Sequence, residues 1–407
     1  MTLGGEDERR RRHAWLVLAA GCLTIFAALG LGRFGYSAVL PSMQADLGLS
    51  NTEAGALASW NLAAYVVVAV GAGFASARVG ARGIITAGLV IAAVAMAATG
   101  LAQGVTSASA ARALTGVGAG LANVPTVALV SSWFSARRRG LAAGIAVSGS
   151  SLALVVVGPL VPAIIAAYGQ DAWRLVWFLF AAAALVIAVF AAVTVRESPP
   201  DRNAAVHEAE ALEGGFGLVF RSGFAWRLGL VYFAFGFSYV IYLTFFFRRL
   251  TGDLGMAASS AGTLFMVLGW ASLVCGVLWG HISDIVGRKY ALAMVCAIHA
   301  VAFAGFALWT SPAGLAVSAV LFGITAWSVP GIVGAACGDV FSRSLTAAAL
   351  GFVTFFLGIG QTLGPLVGGV LADVYDSFRP AYLLAAGVAV VGAFAALLVP
   401  STRRSRP

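Results

Sequence analysis

Twelve apolar stretches, each long enough to cross a lipid bilayer as a helix, leave this chain few ways to fold. They fall at about 14–40, 54–77, 83–104, 106–134, 139–166, 173–195, 224–249, 257–282, 290–310, 313–339, 346–373 and 379–400. About 30 Å of hydrocarbon asks for roughly 20 helical residues. In lipid every backbone N–H and C=O must find a partner within the protein, which leaves helices or closed barrels. Barrel strands would be half as long and would alternate in polarity. The hydrophobic fraction is 60% and the mean hydropathy +0.94, against roughly 45–50% apolar residues in soluble domains. An all-α membrane protein with twelve transmembrane helices is therefore expected, not a soluble fold with a rich core.

The formal charge of +9 raises nucleic acid as a partner, and its distribution removes it. Nineteen of the 25 Lys and Arg fall in tails and loops that share one membrane face, Arg9, Arg12, Arg138, Arg288 and Lys289 among them. That bias is the positive-inside rule. It sets both termini in the cytoplasm of an inner (plasma) membrane and makes anionic headgroups of the bilayer the partner of this charge. The arginines at 9–12 before an apolar run have the form of a secretory signal, but the run continues far past an h-region, so an uncleaved first span is expected. Cys22, Cys275, Cys296 and Cys337 all lie within apolar runs, which points to no disulfide and no metal site. The expected division is a cytoplasmic tail at 1–13, a six-helix half at 14–195, a solvated linker at 196–222, a second six-helix half at 223–400 and a tail at 401–407. Ser50-Asn51-Thr52-Glu53 has the form of a capping box that starts the second helix after a loop from Pro41.

The two halves repeat each other. Gly280-His-Ile-Ser-Asp284-Ile-Val-Gly287-Arg288-Lys289 is a charged hairpin between two apolar runs. Gly73-Phe-Ala-Ser-Ala-Arg-Val-Gly80-Ala-Arg82 carries the same glycines at the same spacing, since 280 − 73 = 207 and 287 − 80 = 207. Asp46-Leu47-Gly48 returns as Asp253-Leu254-Gly255, Gly55 as Gly262, Gly116 as Gly323 and Phe134-Ser135 as Phe341-Ser342, all at the same offset. Gly158-Pro159 returns as Gly364-Pro365 at an offset of 206. Two such halves imply a pseudo-two-fold axis along the membrane normal, with a cleft for solute.

On these residues the chain resembles the major facilitator superfamily (MFS) of secondary transporters, over nearly its whole length. Gly280 to Lys289 matches the family's cytoplasmic motif G-x-x-x-D-x-x-G-R-K at every defining position; the earlier copy departs from it, with Ala77 in place of the acid and Ala81 in place of an arginine. Arg112-Ala-Leu-Thr-Gly116-Val-Gly118 resembles the family's fourth-helix motif. Gly360-Gln361-Thr-Leu-Gly364-Pro365-Leu-Val-Gly368-Gly369 has a form usual in the fifth helix of drug antiporters, yet stands in the eleventh segment; the fifth keeps only Gly158-Pro159. Gly32-Arg33-Phe34-Gly35-Tyr36 is similar to the bacterial YbfB/YjiJ type. The resemblance implies that helices 1, 4, 7 and 10 line the cavity. It also implies that the hairpin latches the halves, with Asp284 near the start of helix 11 around Thr346 and with Gly73, Gly80, Gly280, Gly287, Arg288 and Lys289 shaping the turns. The plainer reading of these residues is a topology signal alone. The missing acid at Ala77 suggests a one-sided latch.

Arg33 is the most informative single residue. It lies about eight residues before Pro41, hence about 12 Å inside the outer end of its helix. An arginine within a span costs at least about 2.5–3.5 kcal/mol near the bilayer centre and normally faces the bundle or a water cavity. Arg112 stands at a similar depth in the fourth span. Two guanidiniums could hold a carboxylate by forked hydrogen bonds; alternatively each pairs with backbone carbonyls. Tyr36 and Asn123 join them as candidate substrate contacts. The counterparts of the two arginines at the 207 offset are Val240 and Ala319. The seventh segment offers Tyr232, Phe235, Tyr239 and Tyr242 on one helix face instead, with Tyr232 and Tyr239 as candidate contacts and packing as the alternative. No acidic residue is mid-span, which argues against standard sugar–proton symport. His299, mid-way along the ninth segment, is the one group there that could titrate near neutral pH, unless it is simply packed. Gly30-Leu-Gly32-Arg33-Phe34-Gly35 fits G-x-G-x-x-G but lies inside an apolar span, so close packing or bending is expected, not a nucleotide. Pro125 and Pro330 are expected to kink helices 4 and 10.

The resulting expectation is an MFS secondary transporter, not an enzyme and without a cofactor. It moves a small solute, an organic anion such as a carboxylate, by rocker-switch alternating access, with protons or a counter-transported anion as coupling partners and a monomer as the working unit. Efflux of amphipathic drug-like compounds and a non-transporting membrane sensor on the same fold stay open as alternatives.

Overall fold

The computed structural model describes residues 3–135, 138–197 and 217–401. They are helical without strands, and eleven helices are long and apolar enough to cross a membrane, twelve when one bent pair counts as a single span. The spans are α1 (Arg12–Leu47), α2 (Asn51–Val79), α3 (Ala81–Gly100), α4 (Val105–Trp133), α5 (Arg139–Tyr168) and α6 (Trp173–Thr194). Then follow α7 (Gly223–Thr244), α8 (Ala258–Ser272 with Cys275–Val286), α9 (Arg288–Leu308), α10 (Pro312–Gly323 with Ser328–Val340), α11 (Arg343–Tyr375) and α12 (Arg379–Leu397). They correspond one for one to the twelve apolar stretches.

The differences from expectation lie at the ends and breaks. The helix that becomes α1 begins at Leu3, where a tail was expected; Glu6 to Arg12 are residues of mostly good helix propensity, with nothing to separate them from the span. α1 also runs through Pro41 to Leu47 and ends at Gly48, whose φ of +61° turns the chain. Proline there removes one helical hydrogen bond. Burial of Met43 and Gln44, the Ser42 hydroxyl bonded to Gln170 (2.8 Å) and the Gln44 amide bonded to the Leu49 carbonyl (3.0 Å) hold the segment helical regardless. The capping box forms as expected, with Ser50 N–H donating to Glu53 (2.8 Å) and Glu53 N–H to Ser50 Oγ (3.1 Å). α8 bends by 44° between its two pieces. α10 is interrupted at 324–327, just before Pro330, whose ring cannot accept the carbonyl four residues earlier inside a helix. Pro125 lies within the continuous α4.

The chain forms two compact units: residues 1–49 with 60–200, and residues 50–59 with 201–407. The linker expected at 196–222 falls largely on residues 198–216, outside the described residues. In the first unit α3 packs on α4 and α6, and α1 on α5; in the second α9 packs on α12, and α7 on α11 and α12. The repeat is visible in the turns. Gly80 and Gly287 have φ of +96° and +95°, a conformation glycine adopts without strain, and each turns its hairpin.

Each unit also has one brace at the corner made by its Asp-Leu-Gly sequence. In the first, Asp46 accepts from Arg174 Nη2 (2.9 Å) and Trp173 Nε1 (3.0 Å), while Arg174 Nη1 donates to the carbonyls of Gly100 (3.1 Å) and Ala102 (2.7 Å) at the end of α3. In the second, Asp253 accepts from Arg249 Nη1 (3.1 Å), Ser377 Oγ (2.9 Å) and Phe378 N (2.7 Å), while Arg249 Nη2 donates to the carbonyl of Ala307 (2.7 Å) at the end of α9. Helix C-termini leave carbonyls without partners, and a guanidinium can serve several at once.

Candidate functional site

The first unit holds the two arginines singled out within spans, and their surroundings differ. The last nine residues before Gly35, Phe26–Phe34, form a π-helix in the middle of α1. π-Segments recur at functional positions because they re-aim side chains. Gly30 lies against Ala153 of α5, so close that a side chain at 30 would overlap it, which accounts for the glycines of the G-x-G-x-x-G-like stretch as packing residues. Arg33 sits at the end of this segment. Its guanidinium carbon lies 4.3 Å from the centre of the Tyr65 ring of α2. The Tyr65 hydroxyl accepts a hydrogen bond from Asn123 Nδ2 of α4 (2.8 Å). Arg33, Tyr65 and Asn123 are all half-buried, and Arg33 Nε and Nη2 have no hydrogen-bond partner.

Arg112 is enclosed instead, with 1% of its surface exposed. Its Nη1 donates to the Gly32 carbonyl at 2.5 Å, and its guanidinium carbon lies 4.6 Å from the Tyr36 ring centre and 5.4 Å from that of Trp177. Asn61 of α2 donates to the Arg112 backbone carbonyl (3.1 Å), tying α2 to α4 at this level. Tyr36 is 1% exposed and belongs to this box. Cation–π contact of this kind is worth about 2 kcal/mol when desolvated. The structure thus brings Arg33 and Asn123 together through Tyr65, and places Arg112 and Tyr36 in a closed support beside them.

In the second unit the seventh-helix aromatics pack as a ladder. Tyr232 stacks on Phe235 (6.2 Å between ring centres) and Phe235 on Tyr239 (4.7 Å). Tyr239 meets Trp327 edge-on and accepts from Gln361 Nε2 of α11 at 2.5 Å. Tyr242 is fully buried among Phe303, Phe306, Phe322 and Tyr382. His299 is 1% exposed and lies between Phe235, Phe303 and Phe322, with no partner for Nε2. The ladder and His299 are therefore packed within the core of this unit.

The hairpin turns at Gly280 to Lys289 carry their own network. Arg288 Nη1 donates to Asp284 Oδ1 (2.5 Å) and Ser283 Oγ (2.7 Å), and Arg288 Nε donates to Asp339 Oδ2 (3.0 Å). Lys289 extends over Tyr290. Asp284, with its side chain 65% exposed, forms an i,i+4 pair with Arg288 within its own hairpin. The earlier copy, which lacks the acid at position 77, receives a carboxylate from elsewhere. Glu197 accepts from the N–H groups of Ala81 (3.1 Å) and Arg82 (2.9 Å) at the start of α3, beside Gly80. Gly73 lies within α2, about two helical turns before Gly80, and not in the turn itself. Asp373 of α11 does for α2 what Glu197 does for α3, accepting from Asn51 N (2.9 Å) and Thr52 N (2.8 Å).

Tyr65, Gln361 and Glu197 escape sequence reasoning. Tyr65 left one trace, as the one tyrosine in its span. Glu197 left none, because its helix end is remote in sequence.

The family described as "Uncharacterised MFS-type transporter YbfB" matches residues 25–397, and the chain belongs to this family of major facilitator superfamily transporters. It is similar to the hexuronate transporter of Bacillus subtilis (strain 168), with 27% identity over 90% of each chain. It is also similar to an Agrobacterium vitis protein provisionally named a tartrate transporter, with 26% identity over 93% of this chain and 92% of that one. Among solved structures a D-xylose–proton symporter superposes with a TM-score of 0.75 over 96% of this chain and 98% of that one, at 19% identity, a likeness of fold. The protein is a multi-span membrane transporter of small solutes, not an enzyme.

Proposed function

We propose that this transporter carries a small organic anion, a carboxylate, and that Arg33 is its principal contact. One observation carries the reading. The two Arg33 nitrogens without partners, Nε and Nη2, make up one edge of the guanidinium, and that edge matches both oxygens of a carboxylate. Unmet buried donors cost about 1–3 kcal/mol each, more for a charged group, so an anion that meets them recovers that cost. Arg112 supports the site from behind as a fixed positive charge. The relatives named for hexuronate and tartrate transport are consistent with the same class. Transport proceeds by alternating access in the inner membrane, with both termini in the cytoplasm.

The test is uptake of labelled carboxylates into proteoliposomes by wild type and Arg33→Gln, with and without a pH gradient. Loss of uptake in the variant, with the protein still monodisperse in detergent, supports the reading. Equal uptake by the two proteins refutes it. Dependence on the gradient separates proton coupling from exchange.

A further inference from the structure

The Arg33 edge accounts for a carboxylate but leaves two groups beside it unused. Tyr65 and Asn123 are joined by a single hydrogen bond, Asn123 Nδ2 to the Tyr65 hydroxyl (2.8 Å). In that arrangement the tyrosine proton remains to be donated and the Asn123 carbonyl remains to accept. Were the amide turned the other way, the tyrosine oxygen would accept and the asparagine NH₂ would donate. Either way the pair presents one donor and one acceptor side by side. That is the complement of an alcohol, which donates once and accepts once. Both residues are half-buried, unlike the enclosed Arg112 box, and the ring of Tyr65 carries the Arg33 guanidinium on its face. Tyr65 is also the central residue of its helix, with 65 − 51 = 14 residues before it and 79 − 65 = 14 after it, at the depth where carriers of this architecture hold solute.

We infer that Tyr65 and Asn123 form a hydroxyl-reading subsite next to Arg33, so that the transporter selects hydroxylated carboxylates, such as sugar acids and hydroxy diacids, over their deoxy counterparts. This inference rests on the carboxylate reading of Arg33. The carboxylate meets the Arg33 edge, and a hydroxyl on a neighbouring carbon accepts from Tyr65 and donates to Asn123. A neutral hydrogen bond is worth roughly two- to thirteenfold in affinity. A substrate without the hydroxyl leaves a donor and an acceptor unpaired, which sites built for hydroxyls reject more strongly still.

The experiment is uptake of matched pairs, lactate against propionate and malate against succinate, into proteoliposomes carrying wild type, Tyr65→Phe or Asn123→Ala. The wild type takes up the hydroxylated member at least about tenfold faster at low concentration. Tyr65→Phe retains the ring under Arg33 and loses the hydroxyl, so the ratio of hydroxylated to plain substrate falls at least about threefold, as it does in Asn123→Ala. Thermal stabilisation in detergent by malate against that by succinate compares the pair independently of flux, and either variant suffices should the other not insert. A wild-type ratio near one, or a ratio that changes less than threefold in both variants, overturns the inference. Transport of neither member of either pair removes the carboxylate reading along with it, whereas transport with an unaltered ratio removes the hydroxyl subsite alone.

Discussion

The two units share a scaffold at an offset of 207 residues and differ in the charge they bury. The first places Arg33 and Arg112 inside its bundle; the second has Val240 and Ala319 at those positions and fills the space with Tyr232, Phe235, Tyr239 and His299. The corner braces show the opposite tendency. Asp46 and Asp253 hold equivalent positions, and the carbonyls of Gly100 and Ala307 that end α3 and α9 are equivalent too. Yet the arginine that joins them comes from α6 in the first unit and from the short π-helix Arg248–Asp253 after α7 in the second. Duplication preserved the requirement, a cation for helix-end carbonyls without helical partners, while letting a different helix meet it. Where only packing was required, as in the mid-bundle, the two copies parted entirely. Of the two arginines kept on one side alone, Arg33 is the proposed solute contact and Arg112 its support, whereas the brace, kept in role on both sides, is scaffold.

The largest effect that would break this distinction belongs to Arg33. Arg33→Gln is expected to lower carboxylate uptake about 100-fold or more, the loss of two charge-assisted hydrogen bonds, with little change in thermal stability. Arg33→Lys recovers a minor part, because an ammonium lacks the fork. Arg112→Leu should do the reverse. Removing its bond to Gly32 and its contacts with Tyr36 and Trp177 costs about 2–4 kcal/mol of stability, read as a lower melting temperature in detergent. Equal behaviour of the two arginines in uptake and in melting would end the division into contact and support.

Most of the fold was legible because lipid enforces a simple rule, a helix for every long apolar run, and the glycine spacing exposed the repeat. What escaped was set by partners far apart in sequence. Pro41 reads as a terminator, and only the burial of Met43 and Gln44 shows why the helix continues. Ala77 reads as a lost latch acid, while Glu197, some 120 residues on (197 − 77 = 120), caps the neighbouring helix. In the site, intramembrane charge singled out Arg33 and Arg112, but nothing in either residue's own surroundings in sequence separates them. The separation comes from Tyr65 on one side and from Gly32, Tyr36 and Trp177 on the other.

The braces offer a smaller contrast. Asp253 and Arg249 have side chains 13% and 6% exposed, whereas Asp46 and Arg174 are 29% and 33% exposed. Screening weakens the outer pair. Asp253→Asn is therefore expected to lower stability by about 1–3 kcal/mol, the range for a shielded charged hydrogen bond, and Asp46→Asn by less than about 1 kcal/mol. Matching losses in a thermal melt would show that burial does not set the strength of these corners.

The smallest effects concern the two remote caps, Asp373 on α2 and Glu197 on α3. Each carboxylate meets two N–H groups at a helix start, where an anion is favoured by about 0.3–1 kcal/mol at exposed sites. Asp373→Asn keeps the side chain's shape and removes the charge. Hydrogen exchange at residues 50–59 should then quicken by roughly two- to fivefold, the kinetic image of that energy, with no change at the start of α3. Glu197→Gln should do the converse. The pair also bears on which unit the start of α2 belongs to. Residues 50–59 cluster with the second unit although the rest of the helix belongs to the first, and Asp373 caps them there through Asn51 N and Thr52 N. If exchange at 50–59 is indifferent to Asp373→Asn, packing of Gly369 against the Asn51 carbonyl, not charge, is what seats the first turn of α2 on α11.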